Sequence, residues 1–133
     1  MVLFVERWFI IMKIKNITYP TRLEEIPDTF NDNIDIFVET TEGMHFTLTV
    51  CTPLFYFDYM DKENLNYVPV GTPDVIVREL TYDNIRKALE SFCENDGYFM
   101  KIYFLSGDHD GAFSEQNLNQ IIEKFNKCYY ENE

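Results

Sequence analysis

Hydrophobic and polar residues alternate most regularly between positions 34 and 50. The even-numbered positions of 34–38 and of 44–50 are all apolar, whereas most of the odd-numbered positions are polar. The sequence Thr-Thr-Glu-Gly lies between the two runs, and Gly43 adopts a positive φ at little cost. A period of two with one apolar side predicts an antiparallel hairpin that buries one of its faces.

Shorter apolar runs on both sides of this hairpin predict three further strands. Residues 13–19 alternate, residues 74–80 contain an uninterrupted Val-Ile-Val run, and residues 98–105 are mostly apolar. In the last of these strands, the residues expected to face the core are Met100, Ile102 and Phe104. Residues 54–73 follow Pro53 and contain Pro69, Gly71 and Pro73, so they are predicted to be irregular, with one helical turn around residues 54–60.

Two segments have the three- and four-residue spacing of amphipathic helices. Thr81 is a plausible N-cap for a helix that continues to about Asn95, and Ser114 begins a second helix. Their apolar stripes consist of Tyr82, Ile85, Ala88, Leu89 and Phe92, and of Leu118, Ile121, Ile122, Phe125 and Tyr129. The order of elements predicts an α+β fold, with an antiparallel or mixed sheet, a central hairpin and two amphipathic helices on one face.

The length of 133 residues predicts a single domain over residues 1–133. The hydrophobic content of 46% and the aromatic content of 17% exclude a disordered acidic chain. Residues 1–11 are mostly apolar but too short to span a membrane, and they lack the pattern of a signal peptide. They are either an extra β-strand or an N-terminal extension upstream of Met12 as the natural start.

The formal net charge is −12, from 23 acidic and 11 basic residues. This charge argues against direct binding to nucleic acid or to an anionic membrane, because both carry phosphate groups. It either attracts a basic protein partner or only keeps the protein soluble. The three widely spaced cysteines, Cys51, Cys93 and Cys128, form no disulfide pattern; the last two are expected to be buried thiols. We therefore predict a reducing, cytoplasmic location.

Sites for catalysis or for a metal are weakly indicated. The sequence Asp108-His109-Asp110 contains metal-ligating residue types, but it lacks the spacing of a calcium loop and is more typical of a solvated turn. His45 and Cys51 are both predicted on the polar side of one strand, but nothing in the sequence activates the thiol. We therefore predict that the protein is no enzyme and has no metal site and no cofactor.

The segment 55–63 alternates aromatic residues with charged residues, most of them acids. Such segments are typical of protein-recognition surfaces, because aromatic side chains anchor a partner and acids pair with its Arg or Lys. In the alternative interpretation, Phe55, Phe57 and Met60 simply pack under the sheet.

Three consecutive stretches of the chain carry a resemblance to a known family. They are GMHFTLTVCTP at 43–53, GTPDVIVREL at 71–80 and the predicted helix at 81–92. Over residues 34–92 the chain resembles immunity proteins from bacterial polymorphic-toxin and contact-dependent growth-inhibition loci. In that family, a strand of the form F-x-V-x-V-x-T-P precedes an Ile-Val strand and a helix.

The resemblance implies a non-enzymatic inhibitor that binds the toxic C-terminal domain of a cognate effector one-to-one. Many such toxins are nucleases with basic clefts, so the acidity of this chain suggests a basic ribonuclease as the target, with tRNA as one candidate substrate. Acidic groups would imitate phosphates, and aromatic groups would supply the contact area. The residues expected to bind the toxin are Phe55, Tyr56, Asp58, Tyr59, Asp61, Glu63, Tyr67, Asp108 and Asp110.

Three other functions fit the same sequence. An acidic nucleic-acid mimic that inhibits a DNA-binding enzyme would need a long stripe of carboxylates. A small metal-dependent or metal-binding protein would use Asp96, Asp108, His109 and Asp110. An ordinary interaction domain would have no toxin gene beside its own gene.

Overall fold

The computed structural model describes residues 12–71, 74–107, 110–111 and 113–130. Within them the chain forms a four-stranded mixed sheet and four α-helices, which confirms the predicted α+β class. The elements in chain order are β1 (Ile14–Thr18), β2 (Asn33–Thr40), β3 (His45–Cys51), α1 (Pro53–Glu63), β4 (Val75–Ile76), α2 (Tyr82–Phe92), α3 (Glu94–Ser106) and α4 (Glu115–Tyr130), with a 3-10 turn at Leu23–Glu25 before β2.

The predicted hairpin is confirmed as β2 and β3, the centre of a sheet with the order β1-β2-β3-β4. Ile36 lies opposite Leu48 in this antiparallel pair, and both side chains are buried. Gly43 makes the turn with φ 88°. Because alternate side chains point to opposite faces, the hydrophobic set lines one face and leaves the other to solvent.

Strand β4 pairs in parallel with β3, which makes the sheet mixed. It is only two residues long, although a strand over residues 74–80 was predicted. The backbone N–H of Val77 still donates to the carbonyl of Cys51, but the N–H of Leu80 donates to the carbonyl of Thr29. Val77 and Leu80 are therefore buried without further strand pairing, whereas Ile76 in the middle of the run is 60% exposed.

Helix α2 begins where it was predicted and covers the buried face of the sheet. The hydroxyl of Thr81 accepts a hydrogen bond from the N–H of Asn84 at 3.1 Å, as an N-cap does. Ile85 and Leu89 are fully buried, at 0% exposure each. The helix ends at Phe92, and Cys93 behind it is buried as predicted.

The predicted strand over residues 98–105 is wrong, because this segment belongs to helix α3. Asn95, Asp96 and Gly97 have φ values of 54°, 58° and 69°, and these left-handed residues form a kink near the start of α3, just after α2 ends. Met100 is buried, but Ile102 and Phe104 are each 38% exposed. Residues 98–105 are apolar at almost every position, so they carry no clear period that distinguishes a strand from a helix.

The predicted irregular segment is correct only for its second half, since residues 53–63 form the three-turn helix α1 in place of the single helical turn expected around residues 54–60, and the described residues 64–71 belong to no helix or strand. Thr52 is its N-cap, Pro53 is its first residue, and the left-handed Asn64 ends it. Proline is favoured at the first position of a helix, where its missing N–H has no intrahelical partner. The same proline was interpreted in the sequence as a boundary of irregular structure.

Helix α4 has the predicted apolar stripe, but every residue from 115 to 128 is exposed. Cys128 is therefore exposed, and the prediction of a buried thiol at this position is wrong. The two interpretations of residues 1–11 lie outside the described residues. None of the described helices is long and apolar enough to cross a lipid bilayer.

Candidate protein-binding site

Helix α1 is held at one end of the sheet by its N-cap. Thr52 is completely buried, and its hydroxyl oxygen accepts from the N–H of Phe55 at 3.4 Å and from the N–H of Asp32 at 3.3 Å. Because Asn33 pairs with Cys51 in the hairpin, both hydrogen bonds lie at the same sheet end. The start of α1 is thus fixed against the residues that lead into β2.

The inner side of α1 is fixed by hydrogen bonds to Asp74. The hydroxyl of Tyr56 donates to the Asp74 carboxylate at 2.6 Å, and the thiol of Cys51 donates to the same oxygen at 3.4 Å. The hydroxyl of Tyr103 donates to the backbone carbonyl of Asp74 at 3.3 Å. Asp74 therefore connects α1, the end of β3 and α3, which restricts the movement of α1 relative to the sheet.

These surroundings make Cys51 a poor nucleophile. Burial, together with the nearby charge of Asp74, raises the pKa of the Cys51 thiol to about 12. The thiol is therefore protonated at neutral pH, whereas a reactive cysteine needs a lowered pKa. His45 lies at the opposite end of β3, roughly 20 Å away at the usual rise per residue. The considered Cys–His pair is not assembled.

The outer side of α1 has a different composition. Leu54, Phe57, Asp58 and Asp61 follow the helical three- and four-residue spacing and share one side of the helix. Leu54 is 49% exposed and Phe57 is 60% exposed, and both aspartates are exposed. Two apolar side chains thus lie beside two carboxylates on one rigid helix.

The residues before β2 extend this side of α1. The side-chain amide of Asn31 donates to the Asp58 carboxylate at 2.5 Å, which places the preceding residue Phe30 beside the helix. Phe30 is 45% exposed. We define the α1 surface by the side chains of Phe30, Leu54, Phe57, Asp58 and Asp61. Its aromatic and acidic composition fits recognition of a protein that carries Arg or Lys.

The loop after α1 adds further exposed apolar groups. Tyr67 is 63% exposed, Val68 is 44% exposed, and Val70 is completely exposed, at 101%. These three residues follow the helix end at Asn64 within one short segment. The predicted site residue Tyr67 is therefore accessible to a partner.

The structure separates the other predicted site residues into three groups. Asp58 and Asp61 lie together on the α1 surface, and Glu63 is exposed at the end of α1. The side chains of Phe55, Tyr56 and Tyr59 lie partly buried on the inner side. Asp110 is exposed in the turn between α3 and α4, and Asp108 lies outside the described residues.

Sequence reasoning missed Leu54 and Phe30. It included Phe57 in the recognition segment 55–63 and, in the alternative interpretation, packed it under the sheet. The exposure of Phe57 contradicts that interpretation. The dipeptide Thr52-Pro53 was the available signal, because an N-cap followed by proline predicts a helix start. A period of 3.6 from Pro53 onward would then have assigned Phe57 and Asp58 to the outer side.

Within the part of the chain that the structure describes, no three His, Cys, Asp or Glu side chains lie close enough together to hold a metal ion. Asp108 and His109, which the metal-binding alternative requires, are outside that part. A scan against protein-family models and searches of curated proteins and of solved structures return no match to this chain.

Proposed function

We propose that this protein is an immunity-type inhibitor that binds a basic toxin domain through the α1 surface. The observation that carries the proposal is the composition of α1: the helix has no fully buried residue, and its outer side combines Phe57 and Leu54 with two carboxylates. An exposed aromatic group beside acids is what a protein interface uses. The resemblance over residues 34–92 supports the same function.

The apolar side chains of this surface supply the contact energy in the proposed complex. Phe57 and Leu54 lose their exposed area to the partner, and aromatic anchors at an interface centre carry much of the binding energy. Because the Thr52 cap and the Tyr56–Asp74 hydrogen bond already order α1, the complex forms with little loss of conformational freedom.

The carboxylates supply attraction and orientation. Asp58 and Asp61 pair with Arg and Lys side chains that the toxin uses to hold substrate phosphates, so substrate is excluded from the cleft. The net charge of −12 accelerates the encounter with a basic domain, and salt weakens this attraction. The inhibitor acts in the cytoplasm as a one-to-one partner and needs no cofactor.

The direct test is a calorimetric titration against the toxin domain encoded beside this chain, at low and at high salt. We expect a one-to-one complex with a Kd in roughly the nanomolar range or below, weaker at high salt. The double substitution Asp58→Ala/Asp61→Ala is expected to weaken binding by ~2 kcal/mol or more, which is about 30-fold.

A matched control separates the position of the charges from their number. Asp83 and Glu90 are exposed acids on α2, away from the α1 surface, and Asp83→Ala/Glu90→Ala changes the net charge by the same amount. We expect this variant to lose only a minor part of the affinity. If both double variants lose affinity equally, the α1 surface is not the interface, and if the unmodified protein does not bind, the toxin proposal itself fails.

A further inference from the structure

Helix α4 has an apolar side that nothing in the described chain covers. Leu118, Ile121, Ile122 and Phe125 are 39%, 44%, 56% and 61% exposed. The helix has 16 residues, and isolated helices of this length are marginally stable in water, because helices in proteins depend on packing of their apolar side. A helix with such a stripe therefore requires a partner surface.

The spacing of the stripe indicates the kind of partner. Leu118, Ile122 and Phe125 are separated by four and then three residues, which is the spacing of the a and d positions in a coiled coil. We refer to these three residues as the α4 seam. A seam of this type packs against another helix, and two identical seams can pair about a two-fold axis.

The distribution of charge indicates that this other helix belongs to a second copy of the chain. The described helix α4 contains two acids and two bases, so it is neutral within a chain of net charge −12. The positions that flank the seam carry no charge; they are Asn119, Ile121, Asn126 and Cys128. Glu123, Lys124 and Lys127 lie on the other side of the helix, and Glu115 lies on the seam side, one turn before Leu118.

From these observations we propose that the protein forms a homodimer in which the α4 seams of two copies pack together. Two chains that each carry −12 repel one another at most surfaces, whereas the α4 seam and the four positions that flank it carry no charge, so two copies can meet there with little repulsion. Within the described helix the one acid on the seam side is Glu115, at the N-terminal end, so the electrostatic attraction of a basic toxin domain is directed mainly to the α1 surface. The seam shares no residue with the α1 surface.

The dimer and the toxin complex respond to salt in opposite directions. Salt screens the repulsion between two acidic chains but does not weaken apolar contacts between the seams. Homodimer affinity is therefore expected to increase as salt is added, whereas toxin affinity decreases. A single helix pair buries a small interface, so we expect a Kd in roughly the micromolar range.

Sedimentation equilibrium of the full chain at low and at high salt tests this proposal. The protein concentration is varied from about 1 to 500 μM, which covers the micromolar Kd expected for the homodimer. The unmodified protein is expected to shift from monomer to dimer, at lower concentration in high salt. The substitution Ile122→Asp places a charge in the seam and is expected to weaken dimerisation at least 30-fold. Gln120→Asp adds the same charge on the opposite side of α4. This variant is expected to change the Kd of dimerisation less than threefold.

Three outcomes would overturn the proposal. The first is a monomer at every concentration and salt, a result that needs no variant and therefore does not depend on how Ile122→Asp folds. The second is a dimer that Ile122→Asp leaves intact. The third is a monomer whose α4 amides are protected from hydrogen exchange, which would show that the seam is covered by the chain's own residues, such as residues 1–11. None of these outcomes affects the toxin titration, so the two proposals fail independently.

Discussion

Helices α2 and α4 have the same kind of amphipathic sequence but opposite surroundings. In α2, Ile85 and Leu89 are completely buried, at 0% exposure, whereas in α4, Leu118 is 39% exposed and Phe125 is 61% exposed. The spacing of apolar residues therefore determines which side of a helix is apolar, but it does not determine what covers that side.

The connections at the helix N-termini explain why α2 lies on the sheet. Leu80, immediately before the Thr81 cap, is buried and bonds through its N–H to the carbonyl of Thr29. The side-chain amide of Asn84 also donates to the carbonyl of Glu79 at 3.1 Å. These contacts fix the direction in which α2 leaves the sheet. Ser114 caps α4 in the same way, but its other hydrogen bonds are local, with residues 111–118.

The largest expected effect comes from one substitution made in both helices. Leu89→Ala removes a completely buried side chain and is expected to lower the free energy of unfolding by about 2–5 kcal/mol. Leu118→Ala makes the same change in α4 and is expected to cost less than about 1 kcal/mol in the monomer, because the side chain already contacts water. Urea unfolding at a protein concentration below that of dimerisation measures both.

The contrast between α2 and α4 would be wrong if Leu89→Ala and Leu118→Ala lowered the free energy of unfolding equally at that low protein concentration. Such a result would mean that the α4 seam is covered within one chain. If the cost of Leu118→Ala instead grew with protein concentration, the additional loss would belong to the homodimer.

A second prediction concerns the left-handed turn at residues 95–97, near the start of α3. Gly97 has φ 69°, and a Cβ atom at this position would overlap the side chain of Met12, which is itself buried. Gly97→Ala is expected to cost about 2–3 kcal/mol, as the sum of a left-handed alanine and displacement of Met12. Thermal unfolding monitored by circular dichroism would show the loss.

Gly43 provides the control for this substitution. Its φ is 88°, but a Cβ atom there meets no atom within 4 Å. Gly43→Ala is therefore expected to cost only the backbone contribution, about 1–2 kcal/mol. An equal loss in the two variants would show that Met12 does not pack against the turn, and the boundary between α2 and α3 would need another explanation.

The sequence was sufficient to predict the elements in which the spacing of apolar residues matches the spacing of buried side chains. The hairpin and α2 were predicted correctly because alternate residues of β2 and every third or fourth residue of α2 face one core. Helix α3 was missed because residues 98–105 are apolar nearly all round, so burial of Met100 and exposure of Ile102 are decided by the turn at 95–97. Gly97 in that turn lies against the side chain of Met12, which is distant in sequence.

The candidate site was predicted in part for a similar reason. Asp58 and Asp61 were identified from the mixture of aromatic and acidic residues, which needs no knowledge of the fold. Tyr56 was expected to bind a partner, but it faces Asp74, which becomes its neighbour only when β4 pairs with β3. Leu54 was missed because the helix start at Pro53 was not recognised. Local composition thus located the segment, and tertiary contacts decided which of its side chains are exposed.

The smallest expected effect comes from replacing a tyrosine by phenylalanine on each of the two sides of α3. Tyr103 stacks on Phe92 with ring centroids 5.2 Å apart, and its hydroxyl donates to the Asp74 carbonyl at 3.3 Å. Tyr103→Phe keeps the stacking, removes this hydrogen bond and is expected to cost about 0.5–1.5 kcal/mol in urea unfolding. Tyr98 is 58% exposed, so Tyr98→Phe is expected to change stability by less than about 0.5 kcal/mol. Equal effects would mean that Tyr103 contributes no hydrogen bond at Asp74. The attachment of α3 to the sheet would then rest on Met100 and the aromatic contacts alone.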